Sequence, residues 1–171
     1  MNIFIVDDDP CVAATQLCDK HVVKMIVEGC QMLSTNHRLS GSHVVYAPVN
    51  LYKQSFQNHP CTIWARTTTA NYKWLAEHTL ELCYEYKRRY NKVHACQNMS
   101  LWFTCFYPPQ VPIGDLTPFA QAMPEEFKVP GDGVSAYRNY YIGAKSKIAK
   151  WKYTIPPDWY TKGLTNAQVM V

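Results

Sequence analysis

Apolar residues along this chain recur mostly at three- and four-residue steps, the spacing that gathers side chains on one face of a helix. Tyr72, Leu75, Thr79, Leu82 and Tyr86 follow that rule and predict a long second helix from about Thr67 to Tyr90. Tyr137, Tyr140, Ala144, Ile148 and Trp151 repeat it in a last helix over Gly133 to Trp151, and residues 95–106, with Leu101, Trp102 and Phe106, form a third. Val22, Val23, Ile26, Val27, Cys30 and Leu33 fill most of the surface of a first helix, from about Pro10 to about Leu33, which implies burial on several sides. That helix has a clear start: Asp9 can accept from its free amide groups, and Pro10 fits the first position, where no donor is needed. Ahead of it, NIFIV at residues 2–6 is a short apolar run suited to a buried extended segment.

Two stretches break the periodicity. Residues 34–60 contain Ser-Gly-Ser, Pro48 and Pro60 and are expected to be mostly loop. YPPQVPIGDLTPFAQAMPEEFKVPGDG holds six prolines, which no regular helix accommodates, yet it is too aromatic for a free linker. The expectation is a mainly α protein: a single-domain helical bundle over residues 1–160, with a short N-terminal extended segment and a proline-rich loop packed on its surface. Residues 161–171, ending TNAQVMV, are expected to be a flexible tail.

Composition sharpens this picture modestly. In 171 residues, 47% apolar and including 12 Tyr, 6 Phe and 5 Trp, a sizeable core is within reach and wholesale disorder is excluded. No apolar run approaches the roughly 18 residues that span a bilayer, and no export signal is visible, so a cytoplasmic protein away from membranes is expected. The seven cysteines are odd in number and lack close C-x-x-C spacing; most fall at apolar helical positions and are expected to be reduced. The formal charge of +4 says less than its placement. Lys87-Arg88-Arg89 and Lys145, Lys147, Lys150 and Lys152 are either solvated helix faces or a surface for DNA or a nucleotide.

The chemistry centres on CDKHVVKMIVEGCQ, residues 18–31. His21, Lys24, Glu28, Gln31 and Thr35 stack along one side of the otherwise apolar first helix, and Lys20 stands one turn before Lys24. Two ammonium groups that close lower each other's proton affinity. One reading is a solvent face with a Lys24–Glu28 ion pair, worth a few tenths of a kcal/mol. The other is an acid/base site with Glu28 as carboxylate and His21 or a lysine beside it.

Asp19-x-His21 followed seven residues later by Glu28 resembles the first helix of phage-type pyrimidine-dimer DNA glycosylases, the endonuclease V kind. Near the other end, Tyr137-Arg138-x-Tyr140-Tyr141-x-Gly143 is similar to that family's aromatic and basic segment W-Y-K-Y-Y-G, and the two motifs occur in the same order. The stretches MNIF and CDKHVVK also resemble a set of viral and phage open reading frames. The family resemblance implies a small, mainly helical enzyme that excises a damaged base through an amine and then cleaves the strand. It implies that the amine is the chain's own N-terminus, here Met1, with Glu28 supporting the chemistry and His21 orienting or binding. Tyr137, Arg138, Tyr140 and Tyr141 would then stack on bases or touch the backbone. An α-amine titrates near 7.7–8.0 against about 10.4 for lysine, so more of it is nucleophilic at neutral pH. The family exposes a small residue after methionine removal, whereas Asn2 follows Met1 here and Met1 is expected to stay; Val27 stands where the family has arginine. Lys20 or Lys24 is the alternative amine.

Other groups suit binding. His59 and Arg66, flanking the expected start of the second helix, could hold a phosphate or form a capping and packing turn. Arg138, Tyr141 and Lys145 share a face suited to a ligand, whereas Tyr137, Tyr140 and Trp151 follow the core period. His37, beyond the polar stripe, is a weaker candidate. Asp7, Asp8 and Asp9 could bind Mg²⁺ with Glu28 or His21, or simply cap a helix. Three functions therefore stand: a glycosylase, with or without lyase activity, needing neither cofactor nor metal; a nucleotide or phosphorylated-ligand binding module without catalysis; and a metal-dependent nuclease or phosphodiesterase.

Overall fold

The computed structural model describes residues 1–41 and 50–169. Among them are seven α-helices and no strand: α1 Pro10–Gln16, α2 Asp19–Ser40, α3 Pro60–Ala65, α4 Thr69–Tyr90, α5 Gln97–Cys105, α6 Gly133–Gly143 and α7 Asp158–Val169. The mainly helical expectation holds. α4 is the central element, packing against α1, α2, α3 and α5.

Local chemistry accounts for the helix ends. The Asp9 side chain accepts from the amides of Cys11 (2.7 Å) and Val12 (3.1 Å), and Pro10 occupies the first position, as the sequence predicts. Thr68 caps α4 through Asn71 N–H, and Asn91, in the left-handed conformation at φ 51°, ends it. Gly41, at φ 67°, ends α2.

The expected first helix is in fact two. Leu17 and Cys18 are extended, so α1 and α2 meet at a corner, and α2 then runs on to Ser40, past Leu33, into the expected loop. Residues 42–49 of that loop lie outside the described residues. No proline or glycine marks the corner; a distant side chain makes it affordable. Buried Arg89, on α4, donates to the carbonyls of Leu17 (2.9 Å) and Thr15 (2.8 Å), which the break leaves without helical partners. The same guanidinium pairs with Glu85 and with Asp19. Asp19 also accepts from Lys152 N–H at 2.6 Å, so it ties three parts of the chain together.

α2 and α4 approach closely at Gly29. A Cβ there would lie 2.3 Å from Thr79 Oγ1, so the two helices touch at a contact only glycine permits. This sets the depth of α2 one residue from Glu28.

The proline-rich stretch lies against the helices as expected, with only a 3₁₀ turn at Glu125–Phe127. Phe119 packs between Trp64 and Trp74, at ring-centre distances of 5.5 and 5.2 Å. α6 is shorter than predicted, ending at Gly143 instead of Trp151. Residues 161–169 of the segment expected as a tail are helical: α7 begins at Asp158, with Tyr160 buried and Gly163 against Ile142 of α6. Its aromatic anchors, Trp159 and Tyr160, precede the polar residues that suggested a tail.

Candidate active site

The N-terminal segment reaches the polar stripe of α2 because its apolar residues are anchored. Ile3, Ile5 and Val6 are at most 1% exposed. Between them Phe4 adopts φ 58°, a left-handed conformation costing a bulky residue roughly 1–2 kcal/mol. Asn2 holds that bend. Its Oδ1 accepts from Ile3 N–H (2.8 Å) and Phe4 N–H (3.3 Å), and its Nδ2 donates to the Ala122 carbonyl (2.8 Å). The Phe4 ring lies on His21, with centres 4.0 Å apart and planes 17° apart, and is nearly parallel to Tyr140 on α6.

Pinning residues 2–4 this way delivers Met1 to Glu28. The Met1 amine lies 3.8 Å from Glu28 Oε2, and the same oxygen accepts from Asn2 N–H at 2.7 Å. The other carboxylate oxygen is 3.2 Å from Lys24 Nζ. Lys24 is 64% exposed, whereas the Glu28 side chain is only 11% exposed, so the carboxylate looks inward while one cation reaches it from solvent.

These groups line an open cavity of about 290 Å³, together with Asn2, Phe4, Lys20, His21, Met25, Tyr140, Lys145 and Ile148. Lys145 Nζ sits 4.5 Å from the centre of the Tyr140 ring. Three lysines and one α-amine face a single carboxylate, so the cavity suits an anion flanked by apolar and aromatic surface. His21 adds no charge. Burial, and then Lys145, Lys24 and Lys20, push its pKa down to about 3, and the Tyr141 hydroxyl hydrogen-bonds its Nδ1 from behind. It is a neutral part of the wall.

Of the residues singled out in the sequence, Met1, Lys20, His21, Lys24, Glu28, Tyr140 and Lys145 meet in this cavity. Others do not. Arg138 donates to the Val6 carbonyl (2.8 Å), contacts Asp7 (3.4 Å) and stacks on Trp159, so it holds the N-terminal segment and does not line this cavity. Tyr141 is fully buried behind His21, and Tyr137 is buried with its hydroxyl donating to the Ala120 carbonyl. Tyr140 of α6, with Lys145 just beyond the helix, thus lines the cavity, whereas Arg138 and Tyr141 turn toward the packed N-terminal segment and α2. Arg66 donates to the Gln57 carbonyl and lines a separate hollow with Asn36 and Leu39, so His59 and Arg66 do not converge on one phosphate. His59 lies near Met1 instead: its pKa is lowered by burial and then by the Met1 amine, while Glu28 acts on it in the opposite sense. His37 is buried between Tyr72 and Trp102. Asp9 caps α1 and Asp7 faces Arg138. Among the described residues no group of three or more His, Cys, Asp or Glu side chains is placed to hold a metal ion.

Sequence reasoning missed Asn2, Phe4, Met25 and Ile148. A single asparagine after the first methionine carries no pattern, and the left-handed bend at Phe4 has no glycine to advertise it. The corner residues around Arg89 were equally silent.

A family model described as pyrimidine dimer DNA glycosylase matches residues 1–98, more than half of the chain, including Met1, the whole of α2 and His59. No curated protein and no solved structure gives a match.

Proposed function

Because this chain belongs to the pyrimidine dimer DNA glycosylase family, we propose that it excises a damaged pyrimidine from duplex DNA with the Met1 amine as nucleophile and that the same amine then cleaves the abasic strand. The observation carrying this reading is the Met1 amine at 3.8 Å from a largely buried Glu28 carboxylate, inside a cavity rimmed by lysines.

The chemistry follows from that pairing. The neutral amine attacks C1′ of the damaged nucleotide, the bond from C1′ to the base nitrogen breaks, and the base leaves with its electron pair and takes up a proton. Ring opening yields a Schiff base between Met1 and the sugar. Loss of a 2′ proton then expels the 3′ phosphate. Glu28 is suited to two tasks: balancing the positive charge that develops on the sugar, and accepting the protons shed by the amine and by C2′. Asn2 N–H, donating at 2.7 Å, fixes one carboxylate oxygen while the other faces Lys24. Lys20 and Lys145 provide charge for the phosphates flanking the lesion, and Phe4 and Tyr140 provide apolar surface for sugar or base. No helix among the described residues is long and apolar enough to cross a membrane.

A second amine competes on one observation: Lys24 Nζ is nearer to Glu28, at 3.2 Å, than the Met1 amine is. Lys24 is 64% exposed, whereas Met1 is held beside Glu28 by the Asn2 N–H bond to the carboxylate, which favours Met1. Incubation with ultraviolet-irradiated duplex DNA and borohydride tests the reading. A covalent protein–DNA adduct that forms equally in EDTA is the expected result. No adduct and no strand cleavage on irradiated or abasic duplex removes it, and loss of cleavage in EDTA points to the metal-dependent alternative.

A further inference from the structure

We infer that an unpaired stretch of DNA strand beside the excised nucleotide lies in a second hollow, across the Lys24–Glu28 pair, and runs on over a row of aromatic rings. The inference rests on the glycosylase reading and names where that substrate's flanking strand goes.

The second hollow is open, about 480 Å³ in volume, and is lined by Val23, Lys24, Val27, Glu28, Gln31 and His94. Lys24 and Glu28 also line the cavity that holds Met1, so the two spaces meet at this pair. Val23 and Val27 stand one turn apart on α2 and form an apolar strip, beside the polar edge of Lys24, Glu28 and Gln31. Val23 is 40% exposed. His94 closes the hollow from the connection between α4 and α5. Its Nδ1 accepts from Cys96 N–H at 3.1 Å, so the neutral ring carries its proton on Nε2 and has a donor there. From His94 the surface continues as a row of rings. Tyr86, Tyr90 and Tyr153 follow, with successive ring centres 5.1, 4.9 and 4.9 Å apart. The Tyr90 hydroxyl donates to the Asp19 carbonyl at 3.3 Å, which fixes the row beside the start of α2. Tyr153, at the far end, is 49% exposed, and Lys152 Nζ lies 5.6 Å from its ring centre.

This lining favours one form of DNA over another. A paired base is stacked between its neighbours and shows only its edges in the grooves, so a duplex is held mainly through its phosphates. An unpaired base offers a π-face, which stacks on aromatic side chains whatever the sequence. Two valines and a row of four rings suit such faces. The cations stand at the two ends, Lys24 at the cavity and Lys152 at Tyr153, where each can meet a phosphate. A strand with its reacting sugar at Met1 places the adjoining phosphate at Lys24 and the following bases along the hollow and the rings.

Fluorescence anisotropy with a labelled oligothymidine of about eight nucleotides tests the site on undamaged DNA, with a blunt undamaged duplex as comparison. Tyr86→Leu and Tyr153→Leu keep apolar bulk but remove the ring, whereas Tyr153→Phe keeps the ring. The parent should bind the oligothymidine, and each leucine variant should bind it at least about fivefold more weakly. Tyr153→Phe should match the parent, and duplex affinity should be unchanged in all three. Thermal midpoints close to the parent's show that the variants fold; should Tyr86→Leu fail to fold, Tyr153→Leu, altered at an exposed position, decides alone. Leucine variants with parental oligothymidine affinity overturn the inference. So does a parent that does not bind the oligothymidine, or a loss on duplex equal to the loss on oligothymidine. None of these titrations needs a lesion or a reaction. A protein that grips oligothymidine through its rings but traps no adduct therefore defeats the glycosylase reading and keeps the strand site, whereas adducts without ring-dependent binding defeat the strand site alone.

Discussion

Gly29→Ala probes how helix packing sets the site, because its outcome should reverse sign with a neighbour. Two effects compete. In a helix interior, alanine is favoured over glycine by about 1 kcal/mol. Against that, the new Cβ would lie 2.3 Å from Thr79 Oγ1 and 3.0 Å from Thr79 Cγ2, both on buried α4. Thr79 cannot easily turn away, since its hydroxyl donates to the Leu75 carbonyl at 2.7 Å. Overpacking of this kind costs about 2–3 kcal/mol, so Gly29→Ala alone should destabilise by about 1–2 kcal/mol. Thr79→Ala removes both offending atoms. In that background only the Cβ of residue 79, at 3.3 Å, remains close and the helix preference dominates, so Gly29→Ala should stabilise by up to about 1 kcal/mol. Urea midpoints of the four proteins, compared at an unchanged denaturant slope, measure the cycle. The same α2 displacement should slow trapping in the single variant, because Glu28 is the preceding residue. Equal effects of Gly29→Ala in both backgrounds, within about 0.5 kcal/mol, would show that the α2–α4 contact does not set the position of Glu28.

Glu28→Gln should fold, since an amide oxygen can still accept from Asn2 N–H, but its trapping rate should fall by about 100- to 10,000-fold, as expected on losing a positioned acid/base group; a rate within threefold of the parent contradicts its role. Acidification should destabilise the fold through His21 and His78, whose buried rings lower their pKa values to about 3 and about 4. The unfolded chain takes up these protons near pH 6.5 and the folded one does not, so their contribution is intact above 6.5 and shrinks as pH falls toward 4, by at most about 1.4 kcal/mol per pH unit for each histidine. Urea midpoints measured from pH 7 to pH 4.5 should drop accordingly, and a flat profile counts against it. Lys145→Gln should weaken DNA binding uniformly across sequences and reduce the salt dependence of log K by about one phosphate contact, read from titrations at several salt concentrations; an unchanged slope places Lys145 off the DNA path.

Much of the architecture was legible wherever periodicity and capping chemistry agree. The Asp9-Pro10 start and the long helix ending at Tyr90 are local signals, and of the polar stripe on α2 it is His21, Lys24 and Glu28 that line the cavity. Elements decided by distant partners were not legible. The corner at Leu17–Cys18 exists because Arg89, 72 residues after Leu17, satisfies the Leu17 and Thr15 carbonyls. On α6, the helical period alone could not tell that Arg138 and Tyr141 would turn to the N-terminal segment and α2 while Tyr140 lined the cavity. The Tyr-Arg-x-Tyr-Tyr motif falls on α6, and of its residues Tyr140, not Arg138 or Tyr141, lines the cavity. His59 drew attention as a phosphate ligand, whereas the charges that act on its ring are the Met1 amine and Glu28, both distant in sequence.

The central claim is that the reactive amine belongs to Met1. Proteolysis of the borohydride-trapped adduct, followed by mass spectrometry of the peptides, locates the sugar remnant directly. The account predicts it on the α-nitrogen of Met1, with Lys20 and Lys24 unmodified. A remnant on either lysine, with Met1 intact, would contradict it.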